Sequence, residues 1–279
     1  MTTTTANPTA SSFHEWPLVA FTTLAITGAG LLATPLVAWL TAGTPAPAAD
    51  AVLWGALVLG AGFLVSLAHL GRPARAPLAS LGLGRSPLSA EIVVAGVTLL
   101  LGMVAALLPY VSPLLDLATA TAAVALLVTV GLVYSLPGQQ TWCGAVVWTP
   151  LTTGVGFSAV ALAALWGEGL VAIGSVAAVA LAADTALLIV RRMSLAWPQT
   201  GFAPRYPSVF ARRQSILAAR FALVDILPGC CLLAGLPLAA AGLLGAGILV
   251  DRIAFYGFAS QHTTEAEVAR VEAVIGSRV

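Results

Sequence analysis

Residues 89–108 read SAEIVVAGVTLLLGMVAALL, a run of 20 residues in which Glu91 carries the one charged side chain. An α-helix needs about 20 mostly apolar residues to cross the hydrocarbon core of a bilayer. A strand of a membrane β-barrel would instead alternate apolar and polar side chains over about ten residues. Because this run is apolar without alternation, it predicts a transmembrane helix.

Seven further stretches have the same character, and together they predict an all-α, polytopic membrane helix bundle. The eight candidate spans are 17–41, 50–70, 89–108, 113–135, 149–166, 169–190, 214–234 and 236–258. Glycine and alanine are frequent in them, and small residues let membrane helices approach closely. We therefore expect residues 1–279 to form one membrane domain, with polar tails at 1–13 and 259–279.

The composition excludes several classes of protein. The 279 residues are 59% hydrophobic and 8% charged, with a mean hydropathy of +0.98, whereas a soluble domain carries about 25% charged residues. A net charge of +1 argues against nucleic acid, which needs a concentrated basic surface. No basic region precedes the first apolar segment, so we expect that segment to be retained rather than cleaved as a signal peptide.

The few cysteines and histidines limit the metal chemistry of this chain. Its cysteines lack the paired spacing of zinc and iron–sulfur sites; they are Cys143, Cys230 and Cys231. A haem with two histidine ligands needs both at one depth on facing helices, but His14 and His262 lie outside the spans. We expect no metal and no haem on this chain, and a single haem b on His69 is the weaker alternative.

The basic residues are all arginines, and they are distributed unevenly between the two faces of the bundle. They concentrate in the loops after the second and sixth spans, at Arg72, Arg75, Arg85, Arg191, Arg192, Arg205, Arg212 and Arg213. With eight spans, these loops and both termini share one face. The positive-inside rule places that face in the cytoplasm. We expect the protein to lie in the cell's inner membrane. The alternative is that the arginines dock an acidic partner.

The sharpest group of polar residues is His69, Arg72, Arg75 and Glu91, where the second span ends and the third begins. A site that oxidises a quinol needs groups that hydrogen-bond its oxygens and accept protons near neutral pH, and histidine suits that task. A nearby carboxylate can take the second proton, and arginine can stabilise negative charge. The alternative is that His69 and Glu91 cap helices and that the arginines set the topology.

Two other groups of polar residues have weaker functional interpretations. His14 and Glu15 precede the first span and are best interpreted as interfacial residues, although they could line the mouth of a quinone cleft. Four charged residues lie within the later spans, where charge is costly: Asp184, Asp225, Asp251 and Arg252. A buried ion pair with Arg252 as the shared cation is the simpler interpretation, and a proton path is the alternative.

These residues lead to a family resemblance that extends over nearly the whole chain. The chain resembles the DmsC-type membrane anchors of the dimethyl sulfoxide reductase family. The matching residues, in order, are His14-Glu15-Trp16-Pro17-Leu18, His69-Leu70-Gly71, Pro73, Arg75-Ala76, Leu88-Ser89, Glu91-Ile92, Thr141-Trp142, Trp148-Thr149-Pro150, Arg252 and Phe255-Tyr256-Gly257. Each motif is short, but their order and the eight-span count make the set specific.

The resemblance implies an anchor subunit that exchanges electrons between menaquinone or ubiquinone and a ferredoxin-like iron–sulfur subunit. That subunit would serve a molybdopterin catalytic subunit, so the clusters and the molybdenum would lie only on partner chains. The resemblance assigns the quinone site to His69, Gly71, Arg75 and Glu91. Arg72 departs from the family pattern, which leaves the quinone type open.

Two rival functions and the direction of electron flow remain open from the sequence. A secondary transporter or proton-conducting protein would use Asp184 and Asp225, and Pro228-Gly229 could interrupt the seventh span for that purpose. A structural anchor would leave quinone binding to other chains. If the arginine-rich face is cytoplasmic, a sulfite-oxidising type of complex, running toward quinone reduction, also fits.

Overall fold

The computed structural model describes residues 16–45, 48–69, 78, 81–108, 112–134, 147–167, 170–196 and 215–257. Within them, the side chains of 68–69, 191–196 and 257 are not described. Nine helices make up nearly all of this part of the chain: α1 Trp16–Leu32, α2 Thr34–Ala42, α3 Ala49–His69, α4 Pro87–Leu107, α5 Pro113–Leu132, α6 Thr149–Trp166, α7 Leu170–Ala196, α8 Ser215–Leu233 and α9 Pro237–Gly257.

The predicted all-α bundle with eight spans is confirmed. Eight helical segments in the described residues are long and apolar enough to cross a membrane, with α1 and α2 together forming the first. The segments are Trp16–Ala42, Ala49–Leu67, Pro87–Leu107, Pro113–Leu132, Thr149–Trp166, Leu170–Val190, Ser215–Leu233 and Pro237–Tyr256. The chain is therefore a multi-pass membrane protein.

The first span is divided at Ala33 by Pro35, which lies in the first turn of α2. Pro35 has no N–H group, and its ring clashes with the carbonyl of Leu31, four residues earlier. The helix α1 therefore ends at Leu32. The hydroxyl of Thr34 donates to this Leu31 carbonyl at 2.7 Å. The freed backbone acceptor is thereby satisfied, as buried membrane segments require.

Helix α1 lies at the centre of the bundle. It packs against α3, α5, α6 and α9, and Ala25, Ile26, Ala29 and Leu32 are fully buried in those contacts. The approach of α1 to α3 depends on glycine. A Cβ atom added to Gly28 would lie 2.8 Å from the backbone nitrogen of Leu59, which is closer than side chains are found to pack.

Replacing Gly28 with alanine should therefore separate α1 from α3. We expect a loss of stability of about 1–3 kcal/mol, the usual cost of overpacking a tight core. Thermal unfolding in detergent would measure it. Gly96→Ala is the matched control, because an added Cβ there meets nothing within 4 Å. Equal unfolding temperatures for the two variants would contradict the tight α1–α3 contact.

Helix α8 crosses the membrane without a break, although it contains a proline. A π-helical turn at Ala222–Ile226 precedes Pro228, and the N–H of Leu227 donates to the carbonyl of Ala222, five residues back. The wider turn accommodates a proline that cannot continue the ordinary ladder. The transporter hypothesis assumed that Pro228-Gly229 interrupts this span. The structure instead shows a continuous helix that is widened locally just before Pro228.

The up-and-down topology brings certain helix ends to one face of the bundle. Helices α1, α4, α6 and α8 begin there, and α3, α5, α7 and α9 end there. We call this the arginine-rich face, because the loops that carry most of the arginines join these ends. Polar side chains from the first or last turns of different helices can therefore meet below this face.

Candidate functional site

Glu91 lies in the second turn of α4, below the arginine-rich face. Its side chain is 3% exposed, and its Oε1 atom has no hydrogen-bond partner in the part of the chain that the structure describes. A buried carboxyl without a partner is costly. Helix α3 ends with His69 at this same face. The position therefore calls for a proton, a ligand or a neighbouring polar group to complete it.

A pair of tyrosines lies close enough to Glu91 for the charge of its carboxylate to act on their phenols. The Tyr134 and Tyr256 hydroxyls share a hydrogen bond between the end of α5 and the end of α9, and Tyr256 also bonds Thr22 of α1. Burial above all, and then Tyr256 and the Glu91 carboxylate, raise the pKa of Tyr134 well above its ordinary value. The Tyr134 phenol thus stays neutral and able to donate a hydrogen bond at physiological pH.

Aromatic packing fixes this pair in place. The rings of Tyr134 and Phe255 meet edge to face at 5.0 Å between centroids, and those of Phe255 and Tyr256 at 5.3 Å. The guanidinium carbon of Arg252 lies 4.7 Å from the centroid of the Phe255 ring, a cation–π contact. The tyrosine pair is therefore held rigidly, with a buried positive charge beside it.

A second buried polar cluster joins α7, α8 and α9 around Arg220. Its guanidinium contacts three carboxylates: Asp184, Asp225 at 2.8 Å through Nη1, and Asp251 at 3.1 Å through Nε. Arg220 is 1% exposed. Arg220 and Asp225 are five residues apart, a spacing that places two side chains on different faces of an α-helix. The π-helical turn brings them onto one face, so the local widening of α8 builds the cluster.

Threonines and a second arginine complete the cluster. The Thr152 hydroxyl of α6 donates to Asp184 at 2.7 Å, and that of Thr185 to Asp225 at 2.9 Å. Arg252 binds the other oxygen of Asp251 and donates to the Thr149 hydroxyl at 3.1 Å. The cluster therefore ties α6 to the last three helices. A network of this kind stabilises only when each member is paired.

The structure changes one detail of the predicted ion pairs. Arg252 was predicted to be the shared cation of the buried acids. In the structure Arg220 holds that position, and Arg252 binds Asp251 alone of the three. Arg220 escaped notice, although a lone arginine inside an apolar span is itself a signal of a site. Tyr134 was also missed, because it lies just beyond a helix end.

Most of the predicted quinone site lies outside the described residues. His14, Gly71, Arg72 and Arg75 are not described, and for His69 the backbone alone is. Their roles remain predictions. In the described residues, no group of three or more histidine, cysteine or acidic side chains could hold a metal ion.

A family model described as the DMSO reductase anchor subunit, DmsC, matches residues 9–258. The chain belongs to the DmsC family. The match extends from the residues before the first span to the end of α9, so it includes both Glu91 and the Arg220 cluster. The resemblance that was inferred from the short motifs is confirmed.

A relative from Escherichia coli aligns with a shorter part of the chain. The anaerobic dimethyl sulfoxide reductase chain YnfH of Escherichia coli strain K12 is 39% identical over 87 residues. The alignment covers 29% of this chain and 30% of YnfH. Because less than a third of the relative is matched, the full-length family match carries the assignment, and this relative supports it over that part.

One open groove on this DmsC-family bundle borders the Arg220 cluster, because Thr152, which donates to Asp184, is among its lining residues. It lies between α6 and α7, has a volume of about 410 Å³, and is lined almost wholly by apolar atoms. Val155, Val176 and Val179 are among its lining residues, and Val179 is largely exposed. The groove suits an alkyl or isoprenoid chain but offers little to a polar head group.

Proposed function

We propose that this chain is the quinone-binding membrane anchor of a molybdoenzyme complex. It would exchange electrons between the membrane quinone pool, menaquinone or ubiquinone, and an iron–sulfur subunit. A molybdopterin subunit would carry the terminal reaction, as the names of the family and of its relative suggest. The electrons can run in either direction, from quinol to substrate or, in a sulfite-oxidising type of complex, from substrate to quinone.

The proposal is supported above all by the Oε1 atom of Glu91, which has no hydrogen-bond partner among the residues that the structure describes. It is a buried acceptor, 3% exposed as a side chain, at the end of the bundle where α3 ends with His69. A quinol hydroxyl is a hydrogen-bond donor of suitable chemistry to complete it, attached to an apolar ring that the surrounding helices can bury. The fit rests on this Oε1 atom and on the nearby Tyr134 hydroxyl, which shares a hydrogen bond with the Tyr256 hydroxyl.

The proposed chemistry assigns a separate task to each residue. A bound quinol supplies two electrons and two protons. The Glu91 carboxylate accepts a hydrogen bond from one hydroxyl and takes its proton, and the His69 imidazole serves the other hydroxyl. Arg72 and Arg75 hold fixed positive charge that lowers the energy of negative charge at the ring. When electrons flow the other way, the same groups return the protons.

Three further elements of the proposal concern placement. Gly71 would let the backbone approach the ring closely, since a glycine has no side chain to occupy that space. His14, just before α1, would stand at the mouth of the site. The positive-inside rule places the arginine-rich face and both termini in the cytoplasm of a cell whose inner membrane holds the complex.

Removing the Tyr134 hydroxyl should slow quinol-linked electron transfer without unfolding the site. In Tyr134→Phe the ring still packs on Phe255, but the hydrogen bond to Tyr256 is lost. We expect a decrease of roughly tenfold, below the 10²–10⁴-fold of a direct proton acceptor, because the phenol acts through its neighbours. Thr121→Val, which removes an exposed hydroxyl from the same α5, is the control. Equal rates in both variants would remove Tyr134 from the site.

Purification in mild detergent tests the proposal as a whole. We expect an iron–sulfur protein and a molybdenum protein to accompany the chain. Adding a short-chain quinol to this complex under argon should reduce the iron–sulfur clusters, which paramagnetic resonance detects. A complex whose clusters dithionite reduces but quinol does not would contradict quinone binding. A chain that purifies alone would contradict the anchor role.

A further inference from the structure

Two aspartates of the Arg220 cluster have an unusual relation to each other. Asp184 of α7 and Asp225 of α8 bind the two terminal nitrogens of the same Arg220 guanidinium, Asp184 at Nη2 and Asp225 at Nη1. Both side chains are at most 2% exposed. Two buried acids that share one guanidinium repel each other when both are ionised, and one proton bound by the pair relieves that repulsion.

The charge balance of the cluster leads to the same conclusion. Three carboxyl groups, those of Asp184, Asp225 and Asp251, face two guanidiniums, those of Arg220 and Arg252. Arginine stays protonated in proteins. If all three acids were ionised, the described cluster would bury one net negative charge inside a membrane bundle, which is costly. One proton bound to the cluster makes it neutral.

We propose that Asp184 and Asp225 form a buried acid pair that binds one proton between them at neutral pH. The pair is a proton-binding site separate from the Glu91 site. It lies on α7 and α8, whereas Glu91 lies on α4. Its ligand is the proton itself, held by two carboxyl groups in the manner of any close carboxylate pair.

Four helices, α6 to α9, contribute polar groups near the pair that support this assignment. From α6, Thr152 donates to Asp184, and on α7 itself Thr185 donates to Asp225. From α8, Arg220 binds one oxygen of each acid. Across α9, Asp251 adds negative charge near Asp184. The guanidinium and the two hydroxyls favour one ionised member, and the second carboxylate and Asp251 oppose a second ionisation.

Asp251 differs from the pair in its surroundings. Its two oxygens are bound by Arg220 on one side and by Arg252 on the other, the latter through two nitrogens. Three charged N–H donors make it the most firmly ionised of the three acids. The shared proton therefore belongs to Asp184 and Asp225, and Asp251 stays ionised.

Infrared spectroscopy of the purified complex tests this directly. A protonated carboxylic acid has a C=O stretching band that is distinct from those of carboxylates and that shifts in D₂O. We expect one such band at neutral pH in the wild-type complex to be absent from both Asp184→Asn and Asp225→Asn. Each amide takes the place of the neutral member and leaves its partner ionised. Asp116→Asn, on α5 at the opposite face, must keep the band.

A second pair of variants covers the event that the asparagine variants fail to assemble. Thr185→Val and Thr152→Val leave both carboxyl groups in place but remove one hydroxyl donor from each. Both should shift the frequency of the same band. The acid pair is overturned if the band survives in either asparagine variant, or, when neither assembles, if neither valine variant shifts it.

The proposal stands apart from quinone binding, and one variant distinguishes them. Glu91→Gln should leave the acid-pair band unchanged, whatever it does to electron transfer. If quinol fails to reduce the partner clusters yet the band behaves as described, the Glu91 assignment is wrong and the acid pair stands. If the clusters respond to quinol but the band persists in an asparagine variant, the reverse holds.

Discussion

Glu91→Gln is expected to abolish most quinol-linked electron transfer while leaving the bundle assembled. Glutamine has almost the shape of glutamate and can hydrogen-bond in the same buried position, but it cannot accept a proton at working pH. A general base contributes roughly 10²–10⁴-fold to a rate, so the rate at which quinol reduces the partner clusters should decrease by about a hundredfold or more. Rapid mixing with a short-chain quinol measures that rate.

The control for this variant removes another carboxylate from the same protein. Asp116 lies in the first turn of α5, at the face opposite Glu91, and is partly exposed. Asp116→Asn should transfer electrons at the wild-type rate. Dithionite should reduce the clusters equally in all three proteins, which shows that the partners are intact. A Glu91→Gln complex that matched the wild-type rate would refute the role of Glu91 as proton acceptor.

Arg220→Met is expected to have the largest effect on stability. The substitution leaves Asp184, Asp225 and part of Asp251 without the cation that neutralises them, at a side-chain exposure of 4% or less. Breaking a buried ion pair by removing one partner costs about 3–5 kcal/mol. Little of the variant should reach the membrane in folded form, and what does should unfold at a markedly lower temperature in detergent.

A companion variant separates charge from volume. Arg220→Lys keeps one positive charge but loses the planar guanidinium that reaches three acids from one position. The stability of this variant should therefore lie between that of Arg220→Met and that of the wild type. Replacing Asp184 and Asp225 together with asparagine in the Arg220→Met background should restore much of the lost stability, because Asp251 keeps Arg252 as its partner and no buried charge of the cluster then lacks one. Wild-type stability for Arg220→Met alone would show that the cluster is not a structural ion network.

The eight spans could be predicted from the sequence because hydropathy alone decides them. The run 89–108 contains one charge over twenty residues, and the bilayer leaves such a segment no conformation but a helix. Glu91 was also predictable as a candidate, since an acid inside an apolar span is costly and its position at the end of the span is read directly from the sequence. The division of the first span is a local effect of Pro35.

The arrangement of the buried polar groups depends on details that a one-dimensional pattern does not contain. The contact of Arg220 with Asp225 depends on a π-helical turn that joins residues five apart, whereas helical periodicity suggests partners three or four apart. Tyr134 meets Tyr256 across more than a hundred residues of sequence. Neither distance along the chain nor hydropathy indicates which helices are neighbours, and that neighbourhood determines the pairing.

Photo-crosslinking with a quinone analogue shows where the quinone ring binds on the chain. The analogue carries its photoreactive group on the ring, is added to the purified complex, and the modified peptides are identified by mass spectrometry. We expect the crosslinks to map to the segment between His69 and Glu91, and we expect their yield to decrease in Glu91→Gln. Crosslinks confined to the groove between α6 and α7, unchanged by Glu91→Gln, would contradict it.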